Sequence, residues 1–283
     1  TVYVALRRED TMPEAMPTLS PAQFQLVYNM LSLSIAAMLG SFAFFILAKN
    51  QLTPKYRPAL IMSALVVGIA GYHYWRIFNS WEEAYMLKET AEGAMMYVWT
   101  EKPFNDAYRY VDWLLTVPLL VAELVAVLAL SSKVRGPMMA KLIIASALMI
   151  ALGYPGEIAA ADDNVTRAIW GTLSTVPFCY ILYVLWGELS KASERNSEKV
   201  QVLLRNTKLL LLFTWGFYPI AYMMPFFGIG GGAAEVGLQV GYSLADITAK
   251  CGYGIMIYHI ARAKMESEED AKVTAGAPAA AAA

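Results

Sequence analysis

Long apolar runs, each interrupted by a short polar or glycine–proline stretch, recur seven times along this chain. A hydrocarbon layer about 30 Å thick needs roughly 20 apolar residues per helix. The runs at about 22–49, 57–79, 103–130, 138–160, 164–190, 201–227 and 235–263 meet that length. Breaks fall where they should: Asn50 to Pro54 follows the first run, Gly136-Pro137 opens the fourth, and Gly228 to Gly232 closes the sixth. The pattern predicts an all-α fold, a seven-transmembrane-helix bundle forming one membrane domain over 1–263. Residues 1–21 form a short leading segment, too polar at 1–20 to supply the apolar stretch of a signal peptide. The tail 264–283 is acidic from Glu266 and then alanine-rich, so disorder is expected there.

Composition sharpens this. Of 283 residues, 58% are hydrophobic and 16% charged, against about 45–50% and about 25% in soluble chains. Mean hydropathy is +0.44. The lipid bilayer is therefore the first partner. A net charge of −1, from 22 basic and 23 acidic residues, leaves no surface for neutralising phosphates, so no nucleic acid is expected. Two cysteines and two histidines exclude a disulfide scaffold and a multi-histidine metal centre. Basic residues set the orientation, because they stay on the cytoplasmic side. Lys49, Lys55 and Arg57 join the first two spans, Lys133, Arg135 and Lys141 the third and fourth, and Lys191, Arg195 and Lys199 the fifth and sixth. The N-terminus is then outside, the C-terminus is cytoplasmic, and 80–102 becomes a long extracellular connection.

Ionisable side chains inside a bilayer are costly and mark function by default. Here they are His73, Arg109, Asp112, Glu123 and the pair Asp246 with Lys250. The plain alternative is a structural ion-pair network. Spacing argues for more. At about 100° per residue, Thr116 and Glu123 return to within about 40° and 20° of Asp112. One stripe of the third helix thus carries two carboxyls about 16 Å apart, like stations on a proton path. Arg109 lies one turn outward. Asp246 and Lys250 are i,i+4 on the seventh helix and face the same way. A lysine at mid-membrane has two readings. It is a neutral amine, or it is consumed in a Schiff base with a carbonyl compound, whose cation needs anions such as Asp112 and Asp246.

Three segments then point to a family. Arg109-Tyr-Val-Asp112-Trp113-Leu-Leu-Thr116-Val-Pro118, Trp215-Gly-Phe-Tyr218-Pro219 and Asp246-Ile-Thr-Ala-Lys250 together resemble the microbial rhodopsins. The resemblance implies all-trans retinal held on Lys250 as a protonated Schiff base. It places the polyene between Trp113 and Trp215, with Tyr218, Pro219, Met149, Gly153, Ser174 and Phe178 completing the pocket. The positions matching Asp112, Thr116 and Glu123 sort the family. Asp-Thr-Glu resembles bacterial proton pumps of the proteorhodopsin and xanthorhodopsin kind, with Asp112 as acceptor and Glu123 as cytoplasmic donor. Sodium pumps resemble Asn-Asp-Gln there, although the upstream stretch Asn105-Asp-Ala-Tyr-Arg-Tyr is similar to theirs.

The same resemblance implies that His73 hydrogen-bonds the acceptor aspartate, where a lone membrane histidine is otherwise a packing residue. Leu120 matches the position that separates green- from blue-absorbing pigments, and leucine is the green choice. Gly171 stands where many members carry tryptophan. It is either a window for a carotenoid antenna or a small residue for close helix packing. Glu157 and Glu235 face the exit side, and either could release a proton. The expected function is light-driven outward proton transport in a bacterial plasma membrane by a homo-oligomer, not enzymatic catalysis. The alternatives are a photosensory rhodopsin signalling through a partner, a light-driven sodium pump, and a seven-helix receptor or transporter without retinal.

Overall fold

The computed structural model describes residues 16–276, apart from residue 106 and residues 160–162. The expected leading segment up to residue 15, Asp106 and the tail beyond Gly276 lie outside the described residues. Helices α1 (Pro21–Ala48), α2 (Arg57–Ala84), α3 (Ala107–Leu128), α4 (Ser132–Glu157), α5 (Asn164–Glu194) and α6 (Glu198–Tyr222) follow in order. A seventh rod closes the bundle. It consists of α7 (Gly231–Asp246), a π turn (Ile247–Gly252) and α8 (Tyr253–Gly276). Sequential helices pack as neighbours, and the seventh rod packs against α1, α2, α3 and α6, closing the ring.

Local chemistry sets several boundaries. Ser20 caps α1 with its side chain on the Gln23 amide, while the Gln23 side chain accepts from the Ser20 amide. Between α6 and α7 a 3₁₀ turn, Met224–Phe227, leads to Gly228 and Gly231, whose φ of 65° and 80° suit residues without a Cβ. Five helices, α1 to α5, are long and apolar enough to cross a membrane. The sixth is less apolar because Glu198, Lys199, Arg205 and Lys208 crowd one end of it. The seventh rod is broken by the π turn.

Two expectations need correction, and one connection gains structure. Within 80–102, β1 (Tyr85–Glu89) pairs antiparallel with β2 (Met95–Trp99), and Leu19 bridges to Tyr97. Gly136-Pro137 lies inside α4, which begins earlier at Ser132. The tail is not disordered from residue 264, since α8 continues to Gly276. Its acidic residues are tied down: Glu266 pairs with Lys199 at 2.6 Å and Glu268 with Lys55 at 2.7 Å.

Candidate functional site

The π turn that interrupts the seventh rod contains Lys250, and such turns are frequent at functional sites. Its ammonium is 2% exposed, and Nζ lies 2.6 Å from Asp112 Oδ2 and 2.9 Å from Asp246 Oδ2. A buried cation needs such partners, because breaking one side of a buried pair leaves an uncompensated charge. The two carboxylates differ in how well they are satisfied. Asp246 accepts from the Tyr218 hydroxyl (2.5 Å), the Tyr74 hydroxyl (2.9 Å) and Trp113 Nε1 (3.3 Å). Asp112 accepts from Lys250 through Oδ2, while its Oδ1 has no hydrogen-bond partner among the described residues. Asp246 is therefore held in place from three helices, whereas Asp112 is held through one oxygen.

His73 Nδ1 stands 3.8 Å from Asp112 Oδ1 and 3.0 Å from the Ile69 carbonyl. The hydrogen bond implied by the resemblance is not made, because the carbonyl one turn back holds the ring nitrogen. Thr116 is fully buried, and its hydroxyl donates to the Asp112 backbone oxygen at 2.8 Å, fixing this turn of α3.

Polar groups continue along α3 in both directions. Towards the hairpin end, Arg109 Nη2 donates to Gln239 Oε1 at 2.6 Å, and its guanidinium lies over the Tyr242 ring. Gln239 Nε2 donates in turn to Glu235 Oε1 at 2.9 Å. Glu157 lies 3.9 Å from Arg167, and Glu235 is joined to Arg109 through Gln239. Towards the other end, Glu123 is fully buried with Ser63 beside it. The Ser63 hydroxyl donates to Ala59 O, and neither Glu123 oxygen has a hydrogen bond among the described residues. Asp112 and Glu123 each sit five residues from an end of α3, about 16 Å apart along its axis.

From Lys250 a cavity of about 570 Å³ runs between α3, α4, α5 and α6. It is lined by Trp113, Leu120, Met149, Gly153, Ser174 and Phe178, and by Trp215, Tyr218 and Pro219, as expected. Apolar walls with few polar groups suit an elongated apolar ligand. The position of the Lys250 amine at one end suits a carbonyl carried on that ligand. The residues present fit retinal. Gly171 lines the far end, but it is not simply an opening. A Cβ there would lie 2.7 Å from the Tyr222 ring, and one at Gly156 would collide with the Tyr222 hydroxyl. Tyr222 packs across both glycines and donates to Arg167 O at 2.7 Å.

The family model described as bacteriorhodopsin-like protein matches residues 25–264. The chain belongs to the bacteriorhodopsin-like family. Among solved relatives of this rhodopsin, xanthorhodopsin, described as a light-driven ion pump with dual chromophore, is 55% identical with a TM-score of 0.84. That comparison covers 90% of this chain and 99% of the other. Thermophilic rhodopsin is 52% identical with a TM-score of 0.83, over 89% and 99%. The green-light absorbing proteorhodopsin of Gamma-proteobacterium EBAC31A08 is 31% identical over 80% of this chain and 82% of its own. Membership makes this rhodopsin a multi-pass membrane protein of an ion-pump family and not an enzyme, with retinal as the cofactor its family implies.

Within this rhodopsin, sequence reasoning missed Tyr74, Gln239, Tyr242 and Tyr222. Tyr74 directly follows His73, and Gln239 lies seven residues, two helical turns, before Asp246 on the same face. A search of those faces for donors would have found both. Tyr242 and Tyr222 carry no such signal, because a tyrosine in an apolar helix reads as packing.

Proposed function

We propose that this protein is a light-driven outward proton pump, with all-trans retinal carried on Lys250 Nζ. The observation that carries the reading is the unequal pair around that nitrogen. Asp246 is saturated with donors, whereas Asp112 keeps an oxygen unengaged, and Glu123 waits on the other half of α3. When bound, retinal supplies light absorption and an isomerisation that changes the proton affinity of the nitrogen. Asp112 Oδ2, at 2.6 Å, then takes the proton from Nζ. Asp246 stays in place as the second anion through Tyr74, Tyr218 and Trp113. Glu123 returns a proton to Nζ from the basic end of the bundle, which makes transport one-way. Arg109, Gln239 and Glu235 lead from Asp112 towards the hairpin end, with Glu235 favoured over Glu157 as the release group.

The basic connections at the Glu123 end support a cytoplasmic C-terminus and an N-terminus outside, in the plasma membrane of a bacterium and as a homo-oligomer. Illumination of a cell suspension tests the reading. The medium should acidify in light, and a protonophore should abolish the change. Protonophore-enhanced alkalinisation that requires sodium would instead establish the sodium pump, and no pH change in either condition would favour the photosensory alternative.

We place a carotenoid antenna against the part of the cavity lining contributed by Thr172 and Thr175 of α5 and by Phe226 and Phe227 beyond α6. Tyr222 already fills the space beside Gly171, so the pigment would lie outside that ring. Mixing the protein with hydroxylated carotenoids should add carotenoid bands to the fluorescence excitation spectrum of the retinal. Thr172→Trp should remove these bands while the retinal colour survives. Wild type without such bands would leave Gly171 and Gly156 as seats for Tyr222.

A further inference from the structure

Lys264 is a buried lysine for which the pumping scheme has no task. It lies one residue beyond the last predicted span and is 9% exposed. Its Nζ donates to the backbone carbonyls of Val127 at 3.2 Å and Leu128 at 2.9 Å. These belong to the last turn of α3, whose carbonyls have no amide partner further along the helix. Ala129, with a φ of 52°, turns the chain away and leaves them open. A cation at this end is held by both the orphan oxygens and the helix dipole.

Glu123 sits four residues before Val127, about 6 Å deeper along the same axis. Lys264 thus stands between the proposed donor and the nearer surface. The charged and titratable groups around it come from three places. Lys55 and Tyr56 belong to the α1–α2 connection, Glu268 to its own helix, and Arg195 to the α5–α6 connection. Glu268 is engaged by Lys55 at 2.7 Å and by the Tyr56 hydroxyl at 2.6 Å. The carbonyls of α3, not a carboxylate, are what bind Lys264. Burial, with Lys55 and Arg195 adding to it against Glu268, pushes the ammonium down to about 8.

We propose that Lys264 is a positioning residue that clasps α8 to the cytoplasmic end of α3 and so sets how fast Glu123 regains its proton. The inference rests on Glu123 as donor. Two effects run the same way. The clasp closes the short route for water along α3, and its charge stabilises the Glu123 carboxylate once the proton has left. Releasing the clasp should therefore speed recovery. The sign with pH follows from the same cation. Below about 8 Lys264 is charged and the clasp is strongest; above it the neutral amine keeps two N–H donors but loses the charge that strengthens its bonds to the carbonyls.

Time-resolved infrared spectroscopy in lipid vesicles reads this directly through the carboxyl C=O band of Glu123, identified by its loss in Glu123→Gln. Below about pH 8, Lys264→Gln should recover the band about ten-fold faster than wild type, the order expected for one unit charge at roughly 10 Å and an effective dielectric near 20. Lys264→Arg, which keeps charge and donors, should match wild type. Above that pH, wild type should depart from Lys264→Arg and approach Lys264→Gln. Equal recovery in all three proteins on both sides of that pH overturns the inference alone. A band absent from wild type overturns the donor role, and the inference with it. If Lys264→Gln fails to fold, a constant ratio of wild type to Lys264→Arg across that pH is sufficient refutation.

Discussion

Asp112→Asn is expected to stop net proton export and to move the absorption of the pigment to longer wavelength. An amide cannot accept the Nζ proton, so the initial rate of light-driven acidification should fall by at least about 10²-fold, the usual scale for losing a positioned proton acceptor. The pigment itself should still form. Asp246 remains 2.9 Å from Nζ and keeps its bonds to Tyr74, Tyr218 and Trp113, so the cation retains one fully built partner. The red shift follows because the cation loses the negative charge at 2.6 Å that stabilises its ground state. Acid titration of the wild type should reproduce that shift, since protonating Asp112 removes the same charge. Acidification by Asp112→Asn at the wild-type rate would refute the acceptor assignment.

Glu123→Gln should leave the first proton transfer unchanged and slow the return of a proton to Nζ by about 10²-fold. The distinction lies in geometry, since Glu123 is about 16 Å from Asp112 and touches neither Lys250 nor its partners. It is fully buried and lies apart from the cluster around Lys250. Flash photolysis measures both steps, as the rise and decay of the blue-shifted absorbance of the unprotonated nitrogen. Added azide, a small diffusible acid, should restore the decay. An unchanged decay would remove Glu123 from the pathway.

Much of this was legible in the sequence because hydrocarbon admits few backbone solutions. Seven apolar runs gave seven rods, and the Asp112, Thr116 and Glu123 stripe proved fully buried on one helix. Lys250 and Asp246 were readable as an i,i+4 pair. Where solvent is water, the constraint weakens. The hairpin at Tyr85–Glu89 and Met95–Trp99 was hidden in a connection judged by length, although Glu92-Gly93 between two aromatic-containing stretches was a turn signal. The acidic tail read as disorder because Glu266 and Glu268 were counted without Lys199 and Lys55, which are distant in sequence. The ring of His73 was predictable in place but not in partner, since the choice between Ile69 O and Asp112 is decided within 1 Å.

The bridge between Leu19 and Tyr97 has a consequence for assembly. It joins a residue before α1 to one beyond α2, and Phe24 stacks on Tyr97 at 3.8 Å to reinforce it. Gly232, at the start of α7, packs beneath Thr18 and Leu19 so closely that a Cβ would sit 3.0 Å from both. The bridge cannot form until α1 and α2 have both crossed, and its underside stays bare until the seventh rod arrives. The segment before α1 thus takes its final place only after the seventh rod has packed, although it stands ahead of every helix it joins.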